Sequence, residues 1–294
     1  MLKLRSLLAA SIIILTSSLV SAQSIDLGRG ELPLTVPSNY DADTAVPLLI
    51  LLHGYSFSGA FQDSYMGISS LADRYGFIFV APDGNQESSD SQNRFWNATP
   101  ACCDLFGTEV DDSGYVLNII NEVKANYNID PARVYLVGHS NGGFMSYRVA
   151  YEHSETIAAI VSLAGANHLE ERSAPDNPVH ILQIHGSADS TIAYEGDEIQ
   201  GNRYPGAKQS VERWAQYNGC EVIGAERELR DLDAGIDGHE SSVLLFSQGC
   251  KAGGSSELWT IDGGSHVPRL SDTFSQQVIE WLYAHPKTSA SYPD

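Results

Sequence analysis

The chain has 294 residues, 43% apolar and 18% charged, with 17 Lys and Arg against 37 Asp and Glu for a formal net charge of −20. A chain of this size and composition suits one folded domain with a full core, and it shows no internal repeats, low-complexity linker or appended binding module. The acidic balance argues against nucleic acid and anionic membranes as partners, since both are polyanions, and the acidic residues, scattered through loops such as Asp83 to Asp90 and Glu226 to Glu240, read as solvated surface.

Lys3 and Arg5 precede the apolar stretch Leu7 to Val20, and Val20-Ser21-Ala22 is a small-residue cleavage signal. Residues 1–22 therefore read as a signal peptide and residues 23–294 as a single catalytic domain. Cleavage removes Lys3 and Arg5 and takes the net charge from −20 to −22. No cysteine lies near the cleavage site for a lipid anchor, and no other stretch approaches the roughly 20 apolar residues of a membrane helix. A soluble protein, secreted to the medium or the periplasm, is expected.

Val46 to Leu52 is an uninterrupted apolar run of buried-strand type, and the loop His53-Gly54-Tyr55-Ser56 follows it. Asp111 and Asp112 stand before a helical pattern through Val116, Ile119, Ile120 and Val123, where capping is their expected job. Asp130-Pro131-Ala132-Arg133 reads as a turn into Val134-Tyr135-Leu136-Val137, and Phe144, Met145, Tyr147, Val149 and Ala150 then recur with helical spacing. Ile157 to Ala164, Val179 to Ile184 and Leu258 to Ile261 are further short apolar runs. Strands alternating with helices predict an α/β fold, a mostly parallel central sheet flanked by helices on both faces.

Between the strand ending at Val137 and the following helix lies Gly138-His139-Ser140-Asn141-Gly142. That is the setting of a nucleophile elbow, in which a strained strand-to-helix turn exposes a serine hydroxyl and glycines two positions either side avoid collision with neighbouring backbone. A serine hydroxyl is a weak nucleophile at neutral pH and needs a histidine base oriented by a carboxylate. Asp189 stands just past the strand ending at Ile184, and His266 stands in a glycine-rich loop after Ile261. The order Ser140, Asp189, His266 is the one α/β-hydrolases use. Of the eight other histidines, His153, His168, His239 and His285 read as solvent-titrating, His180 and His185 as structural, and His53 as a pin for its loop. Oxyanion stabilisation needs two backbone donors; the amides of Tyr55 and Asn141 are the candidates. Substrate contacts are expected from Tyr55, Phe57, Trp96 and His139, with Tyr194 and Tyr204 as weaker candidates.

The four cysteines read as two disulfides, and sequence permits three pairings. Cys220 with Cys250 is favoured because they bracket a hairpin with strands near Glu226–Leu229 and Val243–Phe246. Cys102 would then bond Cys103, the alternative being that each reaches a distant partner. No histidine stands at zinc-ligand spacing from that adjacent pair, and the chemistry requires no metal or cofactor.

These segments together carry a resemblance. Leu52-His53-Gly54-Tyr55, Ala81-Pro82-Asp83-Gly84, Trp96-Asn97-Ala98 with Cys102-Cys103, Val110-Asp111-Asp112-Ser113-Gly114-Tyr115, Gly138 to Gly143, His185-Gly186-Ser187-Ala188-Asp189 and Glu257 to His266 resemble the extracellular polyhydroxybutyrate depolymerase and feruloyl esterase family of α/β-hydrolases. The likeness runs from about Leu34 to His285. It implies a secreted serine esterase with the triad Ser140, Asp189 and His266, acting as a monomer on feruloyl or polyester esters. A polyhydroxyalkanoate or aromatic polyester depolymerase is the alternative; a secreted peptidase or a non-catalytic binding protein fits less well. One departure is Val267-Pro268, where members often carry Thr-Trp-Pro after the histidine, which implies a different pocket wall beside the base.

Overall fold

Apolar runs without alternation fit strands buried on both faces, which is what a parallel sheet covered by helices requires. The computed structural model describes residues 24–221 and 223–288; the signal peptide read at residues 1–22 lies outside the described residues. In chain order, β1 (Ser24–Asp26) and β2 (Glu31–Thr35) form a hairpin. They are followed by β3 (Val46–Leu52), α1 (Gly59–Met66), α2 (Ala72–Tyr75), β4 (Ile78–Val80) and a small hairpin of β5 (Asn85–Gln86) and β6 (Arg94–Phe95). Then come α3 (Asp112–Asn126), β7 (Ile129–His139), α4 (Asn141–Glu152), β8 (Ala159–Leu163), β9 (His180–Gly186) and a second small hairpin of β10 (Gly196–Ile199) and β11 (Asn202–Pro205). The chain closes with α5 (Ala207–Tyr217), β12 (Ala225–Arg230), β13 (Ser241–Phe246), β14 (Ser255–Ile261) and α6 (Phe274–Tyr283).

Ten strands form one sheet in the order β1-β2-β4-β3-β7-β8-β9-β14-β13-β12. The six from β4 to β14 run parallel, and the antiparallel pairs lie at its two edges. Successive side chains of β3 go to opposite sides. Leu48, Ile50 and Leu52 pack with Val116, Ile119, Phe144 and Met145 of α3 and α4. Leu49 and Leu51 pack with Met66, Ala72, Phe274, Val278 and Leu282 of α1, α2 and α6. Helices thus cover both faces, as predicted.

Two local expectations need correction. Asp130 to Arg133 is not a turn ahead of the strand but its beginning; the ladder shifts there, with Val46 paired to Ile129 and Leu48 to Val134, and Asp130 holds the bulge by accepting from Ala132 N and Arg133 Nε. Asp111 does cap α3, accepting from Gly114 N at 2.8 Å, whereas Asp112 is buried, paired with Arg29 at 2.6 Å and accepting from Asn97 N. Both disulfides pair as favoured, Cys220 with Cys250 and Cys102 with Cys103.

Candidate active site

The β7-to-α4 turn puts Ser140 at φ 54° and ψ −120°, a left-handed strain that non-glycine residues seldom adopt. The flanking glycines are there for space. A Cβ on Gly138 would stand 2.1 Å from Gly142 O, and one on Gly142 would stand 2.1 Å from Leu52 O of the neighbouring strand. Ser140 N donates to Leu163 O at 2.8 Å, tying the turn to β8.

Asp189 and His266 arrive on two loops stitched together by backbone. Ser187 N donates to Ile261 O, Ala188 N to Gly264 O, and Gly263 N to Ser187 Oγ. The result is a line of hydrogen bonds in which His266 Nε2 lies 2.9 Å from Ser140 Oγ and His266 Nδ1 lies 2.7 Å from Asp189 Oδ2. Burial alone would push the Asp189 carboxyl up, but hydrogen bonds from His185, His266 and Ile192 N outweigh it and hold the group well below the usual carboxylate range. An ionised carboxylate there accepts from Nδ1–H, leaving the Nε2 lone pair toward the serine.

Beside Ser140, Gly54 lies so close that a Cβ would be 3.5 Å from Ser140 Cβ. This brings the Tyr55 amide next to the elbow, where Asn141 contributes the first N–H of α4; neither N–H is engaged by another described residue. His53 is the pin expected of it: Nδ1–H donates to Gly54 O, Nε2 accepts from Gly84 N, and burial holds the imidazole down at about 4. Arg94 completes the support, reaching Gly84 O and Asp83 while Arg94 O accepts from Ser56 N.

Of the expected substrate contacts, Tyr55 is half-buried and Phe57 is exposed and stacked on Phe61, with ring centroids 4.5 Å apart. Trp96 and His139 require correction. Trp96 is fully buried with its indole N–H on His53 O, so its ring belongs to the core beneath the loop. His139 is 2% exposed and its Nε2–H donates to His266 O at 3.0 Å; it braces the His266 backbone. Tyr204 is likewise buried, its hydroxyl accepting from Ala193 N, and Tyr194 bonds Thr260. His285 does not titrate freely in solvent either, since it stacks on Trp281 with its Nδ1–H on Trp281 O.

Three partners of the site escaped sequence reasoning. Tyr65 donates to Pro268 O at 2.7 Å, a second brace on the His266 loop from an element with no motif. Glu87 accepts the Tyr55 hydroxyl. The Asn141 side chain, beyond its amide, grips the Trp96 backbone at both N and O. Each contact joins residues far apart in sequence, and no local pattern announces it.

The mostly parallel sheet with helices on both faces is the α/β-hydrolase fold, and a strained serine hydrogen-bonded through histidine to a buried carboxylate stands at the carboxyl end of a central strand, where such sheets collect their chemistry. Residues 34–214, more than half of the chain, match the family described as Esterase PHB depolymerase, and the chain belongs to that family. It is 30% identical over 240 residues to feruloyl esterase B of Piromyces equi, covering 79% of this chain and 41% of that protein. It is 29% identical over 220 residues to poly(3-hydroxyalkanoate) depolymerase C of Paucimonas lemoignei, covering 71% and 50%. The chain thus spans half or less of the length of these two relatives. Acetyl xylan esterase from Aspergillus awamori superposes with a TM-score of 0.61 at 14% identity, covering 89% of this chain and 98% of that one, and shares its fold.

Proposed function

We propose that the protein is a serine carboxylic-ester hydrolase working through an acyl-enzyme, with Ser140 as nucleophile, His266 as general base and acid, and Asp189 as the carboxylate that orients the base. The observation carrying this reading is His266, placed with one nitrogen on Ser140 Oγ and the other on Asp189 Oδ2. Ser140 attacks the ester carbonyl as its proton passes to His266 Nε2, and the imidazolium is stabilised by Asp189. The tetrahedral oxygen takes hydrogen bonds from the amides of Tyr55 and Asn141. His266 then gives its proton to the leaving alkoxide, the acyl group stays on Ser140, and water activated by the same imidazole releases the acid.

The names of the relatives support hydroxycinnamoyl esters as substrates. A polyester chain is the second reading, favoured by the exposed Phe57 and Val267 on the loops that carry Tyr55 and His266 and by Phe61 on α1, stacked against Phe57, since such a rim can lie on an apolar solid. Export fits both. Residues 1–22 have the form of a leader, both disulfides are formed, as an oxidising compartment allows, and no helix of the described residues is long and apolar enough to cross a membrane.

Hydrolysis of p-nitrophenyl butyrate, methyl ferulate, polyhydroxybutyrate suspension, aromatic polyester film and a peptide anilide by the wild type and Ser140→Ala tests the proposal. Ester turnover that vanishes in the variant is the expected result. Turnover that survives Ser140→Ala, or cleavage of the anilide alone, would reject it.

A further inference from the structure

Asp189 accepts three hydrogen bonds, and a fourth nitrogen, His185 Nε2, lies near its carboxylate. Its Oδ1 accepts from Thr191 N at 2.8 Å and Ile192 N at 2.9 Å. Its Oδ2 faces His266 Nδ1 at 2.7 Å and His185 Nε2 at 3.3 Å. His185 is a buried side chain on β9 for which the hydrolytic steps give no role.

The position of the proton on His185 follows from its other neighbours. Gln183 Nε2 lies 2.8 Å from Gly165 O and 3.0 Å from His185 Nδ1, and Gln183 Oε1 accepts the Tyr147 hydroxyl at 3.0 Å. A carbonyl oxygen can only accept, so Gly165 O orients the amide with its nitrogen inward. The second N–H of that amide then points at Nδ1, which must supply a lone pair. The proton of the neutral ring therefore sits on Nε2, between Ile192 O at 2.8 Å and Asp189 Oδ2. Tyr147 and Gln183 are fully buried, so bulk water does not compete for these bonds.

We propose that His185 is a positioning residue, a second histidine on the Asp189 carboxylate whose tautomer is imposed by Gly165, Gln183 and Tyr147. It rests on the reading of Ser140, His266 and Asp189 as a triad. The reason for a second donor is mechanical. His266 must shift toward the serine, the leaving group and the water in turn, and a carboxylate held on Oδ2 by His266 alone would follow it. His185 belongs to a central strand, and its Nε2–H, bonded to Ile192 O at 2.8 Å and 3.3 Å from Oδ2, keeps a fixed positive dipole against Oδ2 while His266 changes charge.

The test uses the full chain and two substitutions. His185→Gln keeps an amide N–H near the place of Nε2, and His185→Leu removes it. With p-nitrophenyl butyrate, His185→Leu should lose about 10- to 100-fold in kcat with KM within about 2-fold, the range for losing one hydrogen bond to a charged group, and His185→Gln should recover most of that loss. Equal losses in two variants that melt alike would overturn the proposal. A second readout needs no turnover: in 15N-histidine-labelled protein, the His185 signals, assigned by their disappearance in His185→Gln, should show Nδ1 bare and Nε2 protonated. The opposite tautomer in an active wild type overturns the proposal alone, whereas a wild type inert toward every ester overturns the triad reading and the role of His185 with it.

Discussion

A Cβ on Gly186 would stand 2.2 Å from the carbonyl oxygen of Gly264. The exit of β9 and the loop after β14 therefore meet backbone to backbone, three residues before Asp189 and two before His266. Their close approach sets the 2.7 Å contact between carboxylate and imidazole. Gly186→Ala should open this junction. We expect a stability loss of about 1 to 3 kcal/mol, as for an overpacked core, and a larger proportional loss of kcat/KM, because the reacting groups separate. Melting temperature and ester kinetics on the same preparation check this; an active, unshifted variant would show that the two loops are held elsewhere.

Asp189→Asn should fold normally and lose about 10⁴-fold in kcat, because the amide either rotates or presents an N–H to the imidazole and selects the wrong tautomer. Added to Ser140→Ala, the same substitution should cost almost nothing more, since the members of such a unit act together. A double-mutant cycle in kcat measures that coupling, and additive losses would contradict it.

Acid should weaken the fold well before it protonates carboxylates. His53 and His139 are held down at about 4 by burial, against about 6.5 in an unfolded chain. Their folded values are depressed, so their contribution to stability is complete above about pH 6.5 and is lost as pH falls toward 4, on the order of 3 kcal/mol for each. Asp189, depressed in the same sense, extends the loss below the ordinary carboxylate range. Urea midpoints measured from pH 7.5 to 4.5 should decline steadily, and a flat profile would show that these imidazoles charge without penalty.

Tyr65→Phe removes the hydroxyl that donates to Pro268 O. The expected cost is about 0.5 to 1.5 kcal/mol of stability, with a fall of a few-fold in kcat because one of two braces on the His266 loop is gone. His139 remains as the other brace. Comparing kcat with thermal stability in Tyr65→Phe separates a brace on the base from a generic packing contact, which would lower stability alone.

Replacing Cys220 and Cys250 together by serine opens a loop of sequence separation 30 that joins the end of α5 to the turn before β14. In the chain-entropy picture this costs about 3 to 4 kcal/mol. The site lies at the other ends of the strands, so kcat at low temperature should be nearly unchanged while the midpoint in urea falls. A variant that loses activity while folded would link this bridge to the site.

The central strands β3, β7, β8, β9 and β14 were legible because each contains a run of apolar residues, as in Val46 to Leu52, whereas β1, β2 and β4 are short and carried no such signal. The elbow was legible for a related reason. Its glycines are demanded by local collisions, so Gly138, Ser140 and Gly142 record in five consecutive residues a geometry that is itself local. The start of β7 was misread because Asp130-Pro131 is turn chemistry used here for a bulge within a strand.

Burial is a property of everything around a residue and is not written beside it. Trp96 and His139 carry the residue types of a binding site, yet the loop folding over Trp96 and the His266 backbone over His139 enclose them. The sequence by itself determined the central alternation of strands and helices and the candidacy of Ser140, Asp189 and His266, because apolar periodicity and strained turns act over a few residues. Only the tertiary structure decided which nitrogen of His185 holds a proton, that Tyr65 and His139 brace His266, and that Glu87 meets Tyr55. Those contacts join residues separated by up to 203 positions, and they arise only when the packing of the two helical layers brings the loops to one end of the sheet.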